Sequence, residues 1–220
     1  MEKIKQTFTE CSIHFLEKTF GLRQIAQEEN LSQWLTISKE QQLNGWETQT
    51  VDALRKVLNA NVTSWNEQDL SLHFIGPMFS FVNFTEPYRF NLFAERSIAA
   101  EVHTLSGDVI ELSGKPDEMI ASGYREPEAP FFCFQEYKRE KDPNGDPAGQ
   151  VLASMLVGQS LSETPRPIYG CYVIGRDWYF LTLVNKAFCI TRDYSAITDD
   201  AFEIFKILKG LKVIINGMIA

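Results

Sequence analysis

The run Phe131-Phe132-Cys133-Phe134-Gln135-Glu136-Tyr137-Lys138 constrains the fold of this chain more than any other stretch. Its first half is apolar at every position, so neither face of an extended strand there can meet water. Polar groups gather only at its C-terminal tip. That pattern predicts a central strand covered on both sides. Beyond the loop Asp142 to Asp146, Pro147 suits the first turn of a helix, and Ala148 to Ser160 reads as a helix of small and apolar residues. Two strand-like runs follow, Ile168 to Ile174 and Trp178 to Val184, around Gly175-Arg176-Asp177, with Phe188 to Thr191 as a further short strand.

Upstream of the central run, Ser97 to Ser106 and Val109 to Ala121 read as strands joined at Ser106-Gly107-Asp108. The first third reads as helical. Phe8, Cys11, Phe15 and Thr19 recur at helical steps, with Gly21 as a stop. Ser38 followed by Gln41 resembles a capping box opening a helix through Gln49 to Leu58. A third helix is expected from Asn66, burying Leu70, Phe74 and Ile75, with Pro77 ending or kinking it. Asp199 and Asp200 open a last helix whose stripe is Phe202, Ile204, Phe205, Leu208, Leu211 and Ile215. The order predicts a mixed α/β layer architecture, with a helical N-terminal extension over 1–64 and a core over 65–220.

Composition narrows the function classes. A 220-residue chain with 44% hydrophobic and 23% charged residues is ordinary globular material. No apolar run approaches the roughly 18–20 residues that span a bilayer. Met1 to Thr9 shows no apolar signal region, so a cytoplasmic protein without a membrane partner is expected. The net charge of −8 speaks against a non-specific nucleic-acid binder, though carboxylates that hold metal ions also inflate an acidic count. Cys11, Cys133, Cys171 and Cys189 lack metal-like spacing and read as buried free thiols, and His14, His73 and His103 give no zinc signature. Lys206, Lys209 and Lys212 read as a solvated helix face rather than a phosphate track. No phosphate-binding glycine loop and no nucleophile elbow occurs.

One constellation carries chemistry. Glu136 and Lys138 are two apart on one strand and share a face. Asp117 belongs to the preceding strand-like run, separated by one turn-rich loop, so two carboxylates and a lysine are expected to converge at one end of a small sheet. Such hard oxygen donors suit Mg²⁺, and a lysine beside a metal-bound water can orient it or counter phosphate charge. On spacing alone a solvated salt bridge is the commoner reading. Lys138, Arg139 and Lys141 add positive charge at the strand tip.

Pro116-Asp117, with Glu136-Tyr137-Lys138 beginning 19 residues after the aspartate, resembles the motif of the PD-(D/E)XK, or restriction-endonuclease-like, nuclease superfamily. Phe131 to Met155 is similar to uncharacterised bacterial members. The resemblance implies a core of helix, three strands, helix and strand. It gives Asp117 and Glu136 the role of Mg²⁺ ligands, with Mn²⁺ as a substitute, adds the Tyr137 carbonyl as a ligand, and sets Lys138 beside the attacking water. It further implies a DNA endonuclease that leaves a 5′-phosphate and a 3′-hydroxyl. Glu67 on the preceding helix and Gln150 on the following one are accessory candidates; Glu67 reads equally as an exposed first-turn acid. Glu118 is set aside, because alternation points it away from Asp117. The alternative is a catalytically inactive module that keeps the nuclease fold for binding or assembly. The helical first third is open to three uses: a homodimer contact, a lid, or packing for the core.

Overall fold

A computed structural model of the chain describes residues 4–137 and 145–219, with residues 135–137 as backbone alone. In chain order the elements are β1 (Ile4–Thr7), α1 (Ile13–Phe20), β2 (Arg23–Gln24), α2 (Glu29–Glu40), α3 (Gly45–Asn61) and α4 (Glu67–Leu70). A π-helical turn, Ser71–Ile75, joins α4 to α5 (Gly76–Val82). Strands β3 (Asn91–Ala94), β4 (Ile98–His103), β5 (Val109–Gly114), β6 (Glu118–Ala121) and β7 (Pro130–Tyr137) follow. Then come α6 (Pro147–Leu161), β8 (Ile168–Ile174), β9 (Asp177–Val184), β10 (Ala187–Ile190), β11 (Tyr194–Ser195) and α7 (Asp200–Ile219). The fold is mixed α/β. No described helix is long and apolar enough to cross a membrane.

The described strands form two sheets. The large one has the order β2-β10-β9-β8-β7-β6-β3, with β11 pairing β9, and the small one has the order β1-β5-β4. As its sequence predicts, β7 lies inside the large sheet, antiparallel to β6 and parallel to β8. Parallel neighbours need a crossover, and α6 supplies it. Every residue of α6 from Ala148 to Gly158 is buried, because the helix lies between the two sheets, against β7 and β8 on one side and β4 and β5 on the other. An apolar composition all round the helix fits that enclosed position.

The start of α6 is fixed to the chain near α1 at very short range. One Asp146 carboxylate oxygen accepts the Gly149 N–H at 2.9 Å and the other accepts the Ile13 N–H at 2.7 Å. A Cβ on Gly149 would stand 2.4 Å from the Cys11 carbonyl oxygen and 2.7 Å from the Ser12 Cα. Both are backbone atoms that cannot swing aside. Gly149→Ala should therefore destabilise the fold by about 1–3 kcal/mol, read from urea unfolding; a change within about 0.5 kcal/mol would show that the two segments separate freely.

The opposite face of the large sheet is covered by α2, α3, the helical run from Glu67 to Val82, and α7. Phe79 packs against Phe132 and Phe134 of β7, with ring centroids 5.8 and 5.3 Å apart. Trp34 of α2 is fully buried and donates its Nε1–H to the Ile207 carbonyl of α7 at 2.8 Å. All four cysteines are buried and unpaired in disulfides, as expected.

Several sequence expectations need correction. Residues 29–40 form a helix that the polar sequence hides, and Ser38 lies inside it, donating to the Trp34 carbonyl at 2.7 Å rather than capping. The cap of α3 is Asn44, paired with Glu47 in a reciprocal box. Pro77 does not end its helix. The π turn lets the Gly76 N–H reach back to the Ser71 carbonyl, and Pro77 then sits in the first turn of α5, where its missing N–H is not needed. Val109 to Ala121 is not one strand. Lys115-Pro116-Asp117 breaks it, so β5 joins the small sheet and β6 the large one. The edge strand β3 lies in a stretch with no strand signal in the sequence. Gly21 does stop α1, at φ +74°, and Gly107 does turn the hairpin, at φ +92°.

Candidate active site

Strand direction determines what gathers at the C-terminal end of β7. Antiparallel β6 begins there, with Glu118 in register with Phe134, and antiparallel β3 ends there, with Ala94 opposite Glu118. Parallel β8 ends there too, with Val173 and Ile174 in register with Glu136 and Tyr137. Asp117, half-buried, immediately precedes β6, and its carbonyl accepts the Glu95 N–H at 2.9 Å. Glu95 adopts φ +49°, a left-handed conformation that costs a non-glycine residue on the order of 1 kcal/mol. The chain thus leaves the large sheet at Glu95, makes the β4–β5 hairpin, and returns at Asp117 through a single backbone hydrogen bond.

Glu118 is the most perturbed carboxyl of this group. It is 7% exposed, and burial pushes its proton affinity up to about 8; the negative charges of Asp117 and, more weakly, Glu95 act in the same direction. The Ser71 side chain opposes them by hydrogen bonding to the carboxyl. Its Oε2 is buried without a hydrogen-bond partner. On the next strand but one, burial holds the Cys171 thiol well above its usual range, and the Glu118 charge adds to that effect.

The sequence candidates distribute as follows. Asp117 and Glu136 lie on the neighbouring β6 and β7 ends, and position 136 is two residues beyond Phe134. The side chains of Glu136 and Tyr137, and the whole of Lys138, lie outside the described residues, as do Arg139 and Lys141. Glu67 opens α4 behind the Asn66 cap, one helical turn before Ser71. Gln150 lies in the first turn of α6 and is buried. The helices bearing these two pack on opposite faces of the large sheet: Leu70 and Phe74 share a core with Phe134, whereas Val151 and Leu152 share one with Cys133. Glu118, set aside on alternation, sits on the Phe134 side, next to the helical run that carries Glu67. A glutamate directly followed by the buried Met119-Ile120-Ala121 was the available signal.

Two lysines of the basic stripe on α7 are engaged with neighbouring elements rather than left to solvent. Lys209 is enclosed by both Glu47 oxygens at 2.8 and 2.9 Å and the Gln42 carbonyl at 2.9 Å. Lys206 pairs with Glu203 at 2.9 Å, and Lys212 donates to the Val82 carbonyl at 3.3 Å. Lys209 and Lys212 tie α7 to its neighbours, whereas the Lys206 pair lies within α7 itself.

Among the described residues, no group of three or more His, Cys, Asp or Glu side chains is arranged to hold a metal ion. Asp117 and Glu118 therefore need a further donor to make a cation site, and β7 is the strand that faces them. Hard carboxylate oxygens, one of them buried and unpartnered, suit a cation of the Mg²⁺ class. Compared with known proteins, the chain matches no family model and no curated protein.

Proposed function

We propose that this chain is a Mg²⁺-dependent nuclease of the PD-(D/E)XK type, hydrolysing phosphodiester bonds in DNA. The observation that carries the reading is the strand order. β3, β6 and β7 are successive antiparallel neighbours, α6 crosses over, and β8 returns parallel to β7. With the helical run from Glu67 to Val82 in front, this order supports a core of helix, three strands, helix and strand of the kind the motif resemblance implies. Among the described strands the β4–β5 hairpin, inserted between β3 and β6, pairs with β1 and leaves that order intact.

In this reading Asp117, Glu136 and the Tyr137 carbonyl hold the cation. When bound, Mg²⁺ supplies Lewis acidity to a phosphate oxygen and lowers the pKa of a water. Lys138 orients the attacking water and offsets negative charge at the phosphorus. Glu67 and Gln150 flank the site from the two helical layers.

Single alanine variants of Asp117, Glu136 and Lys138 test the assignment, assayed for Mn²⁺ affinity and for nicking of supercoiled plasmid. Lys138→Ala should abolish cleavage and keep metal binding, whereas Asp117→Ala and Glu136→Ala should lose both, because each removes an anionic ligand from a hard cation. Wild-type cleavage by Lys138→Ala would remove that role. A net charge of −8 and two lysines, Lys209 and Lys212, committed to holding α7 in place favour a second reading, a nuclease fold retained for binding or assembly. Absence of metal-dependent cleavage across single- and double-stranded substrates would decide for it.

A further inference from the structure

We infer that α3 is the contact of a homodimer, its outward face docking antiparallel on the same face of a second copy of this chain about a two-fold axis at Ala53. The inference is independent of the nuclease reading. The first observation is a second seam on α3. Val51 and Leu58 are the buried residues of this helix, on its core side. On another side Trp46, Thr50, Ala53, Val57 and Ala60 recur at alternating steps of four and three residues, the spacing of helix-pairing seams. Trp46 is 57% exposed and Val57 45%, and Ala53 and Ala60 are exposed as well. Phe81 of α5, itself exposed, meets the Trp46 ring edge-on at 5.0 Å and widens the patch. A helix face that meets only water normally carries polar residues instead.

Charge narrows the occupant. α3 carries four charged residues, and each is engaged within its own chain: Glu47 with Lys209, Asp52 with Arg55 and Lys56, and Arg55 also with Asp199. The seam between them is uncharged. A strongly acidic or basic partner finds no counter-charge there, whereas two copies meet on it without opposing like charges. Size then selects the second copy, because the seam is complementary to itself. An axis at Ala53 sets Ala53 against Ala53 of the partner subunit and Val57 near Thr50 of the partner subunit. It also sets the bulky Trp46 against the small Ala60 of the partner subunit, and each of these off-axis contacts occurs twice. Alanines at the axis let the two helices approach to about 8 Å. The 17 residues of α3 give about 26 Å of helix. With Phe81 this suits an interface at the small end of the specific range, with a dissociation constant on the order of 10–100 µM.

The test is sedimentation velocity of the full chain from about 1 to 500 µM, on the wild type and on Val57→Asp. The wild type should pass from monomer to twice the monomer mass across that range. Val57→Asp puts two carboxylates into the uncharged seam and should raise the dissociation constant at least about tenfold, with an unchanged circular dichroism spectrum. A second arm needs no loss of binding. Ala53→Cys should give a covalent dimer on mild oxidation, while Asn59→Cys, exposed on the same helix but off the seam, should not. The four native cysteines are buried, so the background is low. A wild type that stays monomeric to 500 µM would overturn the inference. So would a dimer that persists unweakened in folded Val57→Asp, or equal cross-linking of the two cysteine variants.

Discussion

Glu118→Gln should make the metal-free protein more stable above about pH 8, by a few kcal/mol, and change it little near pH 4. The sign follows from where the proton sits. In the fold, burial and then the Asp117 and Glu95 charges keep the Glu118 carboxyl protonated up to about 8, against an ordinary value of 4.5. Between these values the folded state holds a proton that the unfolded state has released, so stability falls as pH rises. The penalty is absent below the unfolded value and complete above the folded one. Glutamine has no such titration. The measurement is urea unfolding of both proteins in chelator across that pH range, taking the difference so that other carboxylates cancel. Parallel pH profiles would mean that Glu118 is solvated or paired in solution.

Trp34→Ala should destabilise the protein by about 3–5 kcal/mol, enough to unfold a domain of ordinary stability on mild warming. The indole is fully buried, its ring meets Tyr169 and Phe180 edge-on at 5.1 and 5.4 Å, and its N–H holds the Ile207 carbonyl. Removing it empties the junction of α2, α7 and the large sheet at once. The backbone there has no room to close the void by sliding, since Gly210 of α7 already lies against Ser38 of α2, where a Cβ would come within 2.4 Å of the hydroxyl oxygen. A loss below about 1 kcal/mol in thermal or urea unfolding would show that α2 is only loosely docked.

The contrast between α2 and β7 explains how much of this fold could be read from its sequence. β7 is apolar on both faces over Phe131 to Phe134, α6 is apolar all round, and β8 and β9 carry the same enclosed pattern. Elements buried on every side advertise themselves. Helix α2 buries only Leu31, Trp34 and Ser38, one residue per turn, and one of those is a serine. Its stripe is too narrow to stand out from polar sequence. The split between β5 and β6 was hidden for a different reason. Alternation continues through Lys115-Pro116-Asp117, and period alone does not tell which sheet a strand joins. At the candidate site, the neighbouring placement of Asp117 and the β7 tip was legible. The burial of Glu118 was not, because Glu118 lies on the Phe134 face of the sheet, which the helical run ahead of β3, remote in sequence, covers.

The small sheet also sets a timetable for synthesis. β1 pairs in parallel with β5, Ile4 beside Ile110 and Thr7 beside Ser113, so β1 has no partner until roughly a hundred further residues have been made. At about 5–20 residues per second that interval lasts on the order of 5–20 s. A sticky strand left open for so long would invite association with other nascent chains. β1 reads Ile-Lys-Gln-Thr, with one strongly apolar residue among three polar ones, and even in the finished fold it stays largely exposed. Its plain composition suits a segment that has to wait in water before it can dock.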